Sequence, residues 1–161
     1  AATAKDFFRI TPIDTGLASV RTEVQLTYNK DYLFAVISSS LHRLWLATVG
    51  GRIGNGFRYS VRVVYNTFPV PKFSDEQRLQ LSTSARRILK CRYSHFPKTI
   101  SELYDPKEMP DDLRAVHREN DDLLETMYIG RPFRNDTERL EKLFKLYAAK
   151  VKSQDKKGAG A

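Results

Sequence analysis

Two hydrophobic periods divide the chain. Between residues 19 and 28 the segment SVRTEVQLTY alternates, with Val20, Thr22, Val24, Leu26 and Tyr28 two apart, and this predicts a half-buried strand. The apolar run DYLFAVISS, residues 31–39, predicts a short buried strand. The period then changes. Leu41, Leu44, Trp45 and Thr48 fall at helical spacing, Ser39 or Ser40 stands where a cap is needed, and Gly50 with Gly51 ends the pattern. SVRVVYNTFPV, residues 60–70, reads as extended again, stopped by Pro69 and Pro71.

From Phe73 onward the pattern is helical. Ser74 and Gln77 form a capping-box pair ahead of Leu81, Ala85, Ile88, Leu89 and Arg92, which predicts a helix running to Tyr93. Thr99 and Glu102 repeat the box on a short helix that ends before Pro106. Pro110, Asp111 and Asp112 open a third helix whose apolar face is Leu113, Val116, Leu123 or Leu124, and Met127; Gly130 and Pro132 close it. Asn135 and Glu138 start a fourth, with Leu140, Leu143, Phe144, Tyr147 and Val151 as its stripe. The predicted fold class is α+β: a small partial α/β segment over residues 1–72, then a C-terminal helical domain of three longer helices over 73–152. Residues 153–161, SQDKKGAGA, read by composition as a disordered tail. Some 72 residues are few for an independent α/β domain. The early strands are therefore expected to join a sheet completed by chain outside this sequence, and the absence of an initial Met fits a piece of a longer protein.

Composition narrows the function classes. Hydrophobic residues make up 41 % of the 161, so a packed core is expected. A single cysteine, Cys91, excludes an internal disulfide framework and fits a reducing compartment. No apolar run approaches the roughly 18 residues of a membrane span, and no signal peptide is legible, so a cytoplasmic location without membrane contact is expected. The net charge of +8 favours an anionic partner. Residues 1–72 carry nine Lys and Arg against four Asp and Glu, whereas residues 73–161 carry 18 against 15. The sparse, acid-poor first part is the better candidate for meeting phosphates.

Catalytic constellations are not legible. One cysteine and three scattered histidines, His42, His95 and His117, lack zinc-ligand spacing. His117 and Asn120, three apart on one helix face, read foremost as hydrogen-bonding partners for a neighbouring helix or loop. Lys90 and Arg92 beside Cys91 could lower its pKa, but a buried structural thiol is much the stronger reading. The glycines of GGRIGNG form neither GxxxxGK[ST] nor a GxGxxG that opens a helix. Asn66-Thr67-Phe68-Pro69 is not the Asn/Asp-Pro-Pro-aromatic motif of amino-methyltransferases. What remains is a cluster of cations and aromatics, Arg52, Arg58 and Arg62 with Phe57 and Tyr59, around a glycine-rich turn. Arginine reads guanine and clamps phosphate, and glycine lets a backbone approach a duplex closely. A hairpin tip with surface arginines is the alternative, of equal weight on the residues alone.

One set of residues adds to this. Ser38 and Ser39 with His42 and Trp45, then Gly51-Arg52-Ile53, Arg58-Tyr59-Ser60, and Tyr65-Asn66 with Phe68, Pro69 and Pro71 occur in that order. This series resembles the end of the target-recognition domain in MmeI-like type IIL restriction–modification enzymes and their DNA adenine methyltransferase relatives. The segments ARRIL, LYDPKEMPDDLRAVHRENDDLLETMYIG and LFKLY are similar to the family's C-terminal domain. The resemblance spans about Tyr32 to Val151 and fits residues 1–30 poorly. It implies a DNA-binding portion of a larger enzyme. Double-stranded DNA is the partner, and methyltransferase and nuclease chemistry, with S-adenosylmethionine as cofactor, belongs to other domains; no cofactor or metal is expected in this chain. The turn Gly54-Asn55-Gly56 stands where the family places base-contacting side chains. The resemblance therefore implies a DNA-binding set of Arg52, Gly54, Asn55, Gly56, Arg58, Tyr59 and Arg62, with Asn55 the candidate reader of an adenine edge. Arg86, Arg87 and Lys90 on the helical domain are expected to brace the recognition segment and add phosphate contacts. A scaffold that docks catalytic domains with little DNA contact is the rival reading.

Overall fold

The computed structural model describes residues 31–53 and 56–158. The alternating segment 19–28, the tip residues Gly54 and Asn55 and the last three residues lie outside them. Six helices and one small antiparallel hairpin make up the described chain: α1 (Asp31–Ile37), α2 (Ser40–Val49), β1 (Gly51–Ile53), β2 (Gly56–Arg58), α3 (Asp75–Ser94), α4 (Ile100–Leu103), α5 (Asp111–Ile129) and α6 (Asp136–Gly158), with a π-helical turn at Val61–Tyr65. The α+β class holds, and helix dominates it. The chain forms two compact units that interleave in sequence. Among the described residues the first takes 31–43 and 73–132, the second 44–53, 56–72 and 133–158.

In the first unit α1 packs on α3, and α3 on α5. The strand expected over DYLFAVISS is instead helix α1. Phe34, Ala35, Val36 and Ile37 are all buried, and a run buried on every side carries no period to distinguish strand from helix. Helix α3 starts at the expected capping box: Gln77 N–H donates to Ser74 Oγ at 3.1 Å, and Ser74 N–H to Gln77 Oε1 at 3.0 Å. The Thr99–Glu102 box on α4 also forms. Gly130, at φ 80°, ends α5 in the left-handed conformation that favours glycine.

The inner face of α5 differs from the expected apolar stripe. Leu113, His117, Asn120, Leu124 and Tyr128 are buried, whereas Val116, Leu123 and Met127 are only half-buried. Three polar residues, His117, Asn120 and Glu125, thus occupy buried positions, and His117 and Asn120 are hydrogen-bonded to other elements. Asn120 Nδ2 donates to the Ala35 carbonyl of α1 at 2.9 Å, and Asn120 Oδ1 accepts from Ser84 Oγ of α3 at 2.8 Å. One side chain therefore ties three helices. Arg92 Nε donates to Tyr104 Oη at 2.7 Å, and Tyr104 Oη lies 2.6 Å from His117 Nε2. Arginine can only donate, so Tyr104 Oη accepts from Arg92 and keeps its one proton to offer to Nε2 of a neutral His117 ring. Burial first and Arg92 second lower the His117 pKa to about 3. The guanidinium of Arg92 also lies 5.2 Å from the Phe34 ring centroid and 4.8 Å from that of Tyr104.

Helix α6 continues to Gly158, beyond residue 153, where composition predicts a disordered tail. Lys and Gln are good helix formers, and extending a helix that is already nucleated is far easier than starting one.

Candidate nucleic-acid interface

The second unit is organised around Trp45, which is 1 % exposed. Its ring centroid lies 6.4 Å from that of Phe68, 5.2 Å from Phe144 and 5.7 Å from Tyr147. Its indole N–H donates to Thr67 Oγ1 at 3.0 Å. These contacts join α2, the segment after the hairpin, and α6. Lys150 of α6 adds a hydrogen bond from Nζ to the Asn66 carbonyl at 2.9 Å. Helix α2 itself is capped by Ser39, whose Oγ accepts from His42 N–H at 3.2 Å and donates to the Val36 carbonyl at 2.6 Å. His42 is fully buried, and desolvation lowers its pKa to about 3. The Ser39, His42 and Trp45 pattern read from the sequence is thus a cap, a buried neutral ring and an anchor.

Beyond α2 the chain turns at Gly50, where an added Cβ would strike the Leu46 carbonyl oxygen. The hairpin follows with Gly51 opposite Arg58, Arg52 opposite Phe57 and Ile53 opposite Gly56. Directly opposed residues share a face of an antiparallel ribbon. Arg58 therefore stands on one face with Gly51, and Arg52 on the other with Phe57. A Cβ on Gly51 would lie 3.7 Å from the Arg58 Cβ, so the arginine stem crosses bare glycine backbone. The Arg52 guanidinium sits 5.3 Å from the Phe57 ring centroid. Gly51, Arg52, Gly56, Phe57 and Arg58 are all exposed. Gly56 belongs to β2 rather than to the turn; Gly54 and Asn55, the remaining tip residues, lie outside the described residues.

The segment after the hairpin is not extended as its valines suggest. Val61–Tyr65 forms a π-helical turn, with Asn66 N–H donating to the Val61 carbonyl at 2.9 Å and Ser60 Oγ accepting from Val63 N–H at 3.4 Å. Val64 and Phe68, four apart, are the buried pair, whereas Val61 and Val63 are exposed. This turn presents Arg62 outward. Tyr59 is half-buried; burial, and then the neighbouring Tyr65, raise its pKa. It is a support of the hairpin base more than an open contact. Arg52, Arg58 and Arg62 are thereby gathered on one exposed element and its exit, with Arg52 and Arg58 facing opposite ways.

Two of the cations expected on the helical domain are held in surface ion pairs. Arg86 pairs with Asp31 at 2.9 Å and Arg87 with Glu119 at 2.5 Å, tying α3 to α1 and α5; Lys90 is exposed. The Cys91 pKa is raised to about 11 rather than lowered, by burial first and then by the charge and hydrogen bond of Asp112, which outweigh Arg92. No helix among the described residues is long and apolar enough to cross a membrane.

Comparison with known proteins gives consistent findings. A family profile described as MmeI, target recognition domain, matches residues 4–72, and one described as MmeI, C-terminal domain, matches residues 73–153. The chain is 37 % identical over 116 residues to DNA methyltransferase A of Bacillus subtilis (strain 168), covering 72 % of this chain and 13 % of that protein. Its fold matches a structure of the type IIL restriction–modification enzyme MmeI in complex with DNA. There the TM-score is 0.71 and the identity 32 %, over 76 % of this chain and 16 % of that one. The chain thus spans less than a fifth of the length of either relative. Residue motifs, fold and profiles agree that it belongs to the MmeI family, of which it carries the target recognition and C-terminal domains.

Proposed function

We propose that the chain positions and reads duplex DNA for methyltransferase chemistry carried by other parts of a type IIL-like DNA adenine methyltransferase or restriction–modification protein. The observation that carries this reading is the exposed hairpin, with Arg52 and Arg58 on opposite faces, anchored through Trp45. A two-stranded ribbon fits the major groove. Cations on its two faces then meet opposite walls of the groove, or one meets a base edge while the other holds phosphate. Arg62 extends the cationic surface, Tyr59 stiffens its base, and Gly51 and Gly56 keep the ribbon thin. Asn55, between Gly54 and Gly56, is the proposed base reader. Similarity to an enzyme solved with DNA supports the same reading.

In this proposal S-adenosylmethionine and the methyl transfer belong to the parent's catalytic domain, with or without a nuclease beside it. The chain alone has neither activity, and the parent works in the cytoplasm. The scaffold reading keeps one supporting observation: Arg86 and Arg87 are held in surface ion pairs that link helices of the first unit. Salt dependence of duplex binding by the 161-residue chain separates the two. Each neutralised phosphate contributes about −0.9 to the log–log slope, so Arg58→Ala and Arg62→Ala each flatten it by about that amount if they hold phosphates. Asn55→Ala relaxes sequence preference at one base pair with the slope kept. Binding at low salt no stronger than that of a neutral control protein would refute the DNA-reading role.

A further inference from the structure

Cys91 and His95, one helical turn apart, meet the more distant Asp112 in the first unit. Their ligand atoms all lie within 4.8 Å of one another. Cys91 and His95 are four apart, so they share a face at the end of α3. Asp112 comes from the first turn of α5. His95 Nε2 lies 2.9 and 3.0 Å from the two Asp112 oxygens. Asp112 Oδ1 also accepts from Leu113 N–H at 2.8 Å, which orients the carboxylate. Cys91 and His95 are half-buried and Asp112 is exposed, so the group is open to solvent on one side.

We propose that this trio is a zinc site that clamps the end of α3 to the start of α5. A sulfur, an imidazole nitrogen and a carboxylate oxygen are three of the ligand types zinc takes, and three protein ligands leave a fourth position for water. Bound zinc would hold sulfur at about 2.3 Å and nitrogen and oxygen at about 2.0–2.2 Å. Ligand atoms around such an ion stand somewhat more than 3 Å apart, so the His95–Asp112 pair needs to open only slightly. A thiolate–imidazole set selects against magnesium and calcium, which take oxygen ligands. The Leu113 N–H is the kind of outer partner that fixes a ligating carboxylate.

Cobalt(II) titration of the reduced, metal-free 161-residue chain tests this. Cys91 is the only thiol present, so a thiolate-to-cobalt charge-transfer band can come from nowhere else in the chain. The band is expected at one cobalt per monomer, bleached by zinc and lost in Cys91→Ser. Asp112→Asn and His95→Gln weaken binding by about tenfold or more, and circular dichroism checks that each variant keeps its helices. Zinc at a hundred times its Kd raises Tm by about 5 °C or more, whereas magnesium does not. The proposal fails if no charge-transfer band appears, or if Asp112→Asn and His95→Gln both bind as tightly as the parent chain. It fails equally if the band tracks dimer formation in size-exclusion chromatography, or if magnesium gives the same shift as zinc.

Discussion

Acidification should destabilise this protein through its two buried histidines before most of its carboxylates titrate. His42 and His117 each sit in the fold with a pKa near 3, against about 6.5 for an exposed imidazole. A depressed histidine pKa means that the unfolded chain binds more protons between the two values. Stability is then fully present above pH 6.5 and lost progressively as the pH falls towards 3. Between pH 7 and 4.5 the loss is about 2.5 kcal/mol per histidine, or about 5 kcal/mol for both. The perturbation that isolates one share is His117→Gln, which removes a titrating group while leaving an oxygen to accept from Tyr104. Urea denaturation followed by circular dichroism at half-unit pH intervals gives the comparison. The variant starts less stable at pH 7, but its pH dependence down to 4.5 should be shallower by about half. Equal pH dependence in parent and variant would refute a neutral His117 in the Arg92–Tyr104 network.

Trp45→Phe keeps a ring in the second unit but loses the bond to Thr67, and should cost about 1–2 kcal/mol; Trp45→Ala should cost about 3–5 kcal/mol and weaken DNA binding without changing sequence preference. Denaturation and duplex titration measure the two effects separately. Asn120→Ala leaves the Ala35 carbonyl and the Ser84 hydroxyl without their present partner and should cost about 2–4 kcal/mol. Asn120→Asp should be worse, because a buried carboxylate would then face that carbonyl; a milder effect of Asp than of Ala in thermal unfolding would contradict the assigned bridge.

The helices from α3 onward were legible because their starts are written in adjacent residues: Ser74 with Gln77, Thr99 with Glu102, Pro110 with two aspartates. A capping bond spans three residues and owes little to the rest of the fold. DYLFAVI misled because burial on all sides leaves no period. The π-helical turn misled because valines at 61, 63 and 64 suit a strand, and only the burial of Val64 with Phe68 shows a helical spacing. On α5 the apolar stripe was misplaced, but His117 and Asn120 do bond to neighbouring elements as their spacing suggests, with Tyr104, Ser84 and Ala35 as the partners. The arginines of the candidate interface were visible as residues, but their opposite facing required the register of the hairpin. The Cys91–His95–Asp112 group escaped notice because its third member joins only when α5 returns to α3.

The interleaving of the two units bears on how recognition can be transplanted between relatives. Trp45 and Phe68 come from the segment matched as target recognition domain, whereas Phe144, Tyr147 and Lys150 come from the segment matched as C-terminal domain. A chimera cut at residue 72 would seat a foreign hairpin on a helix that evolved with another indole. Grafting residues 44–72 together with 133–151 moves the hairpin with its own foundation, leaving the helical core that joins them unchanged.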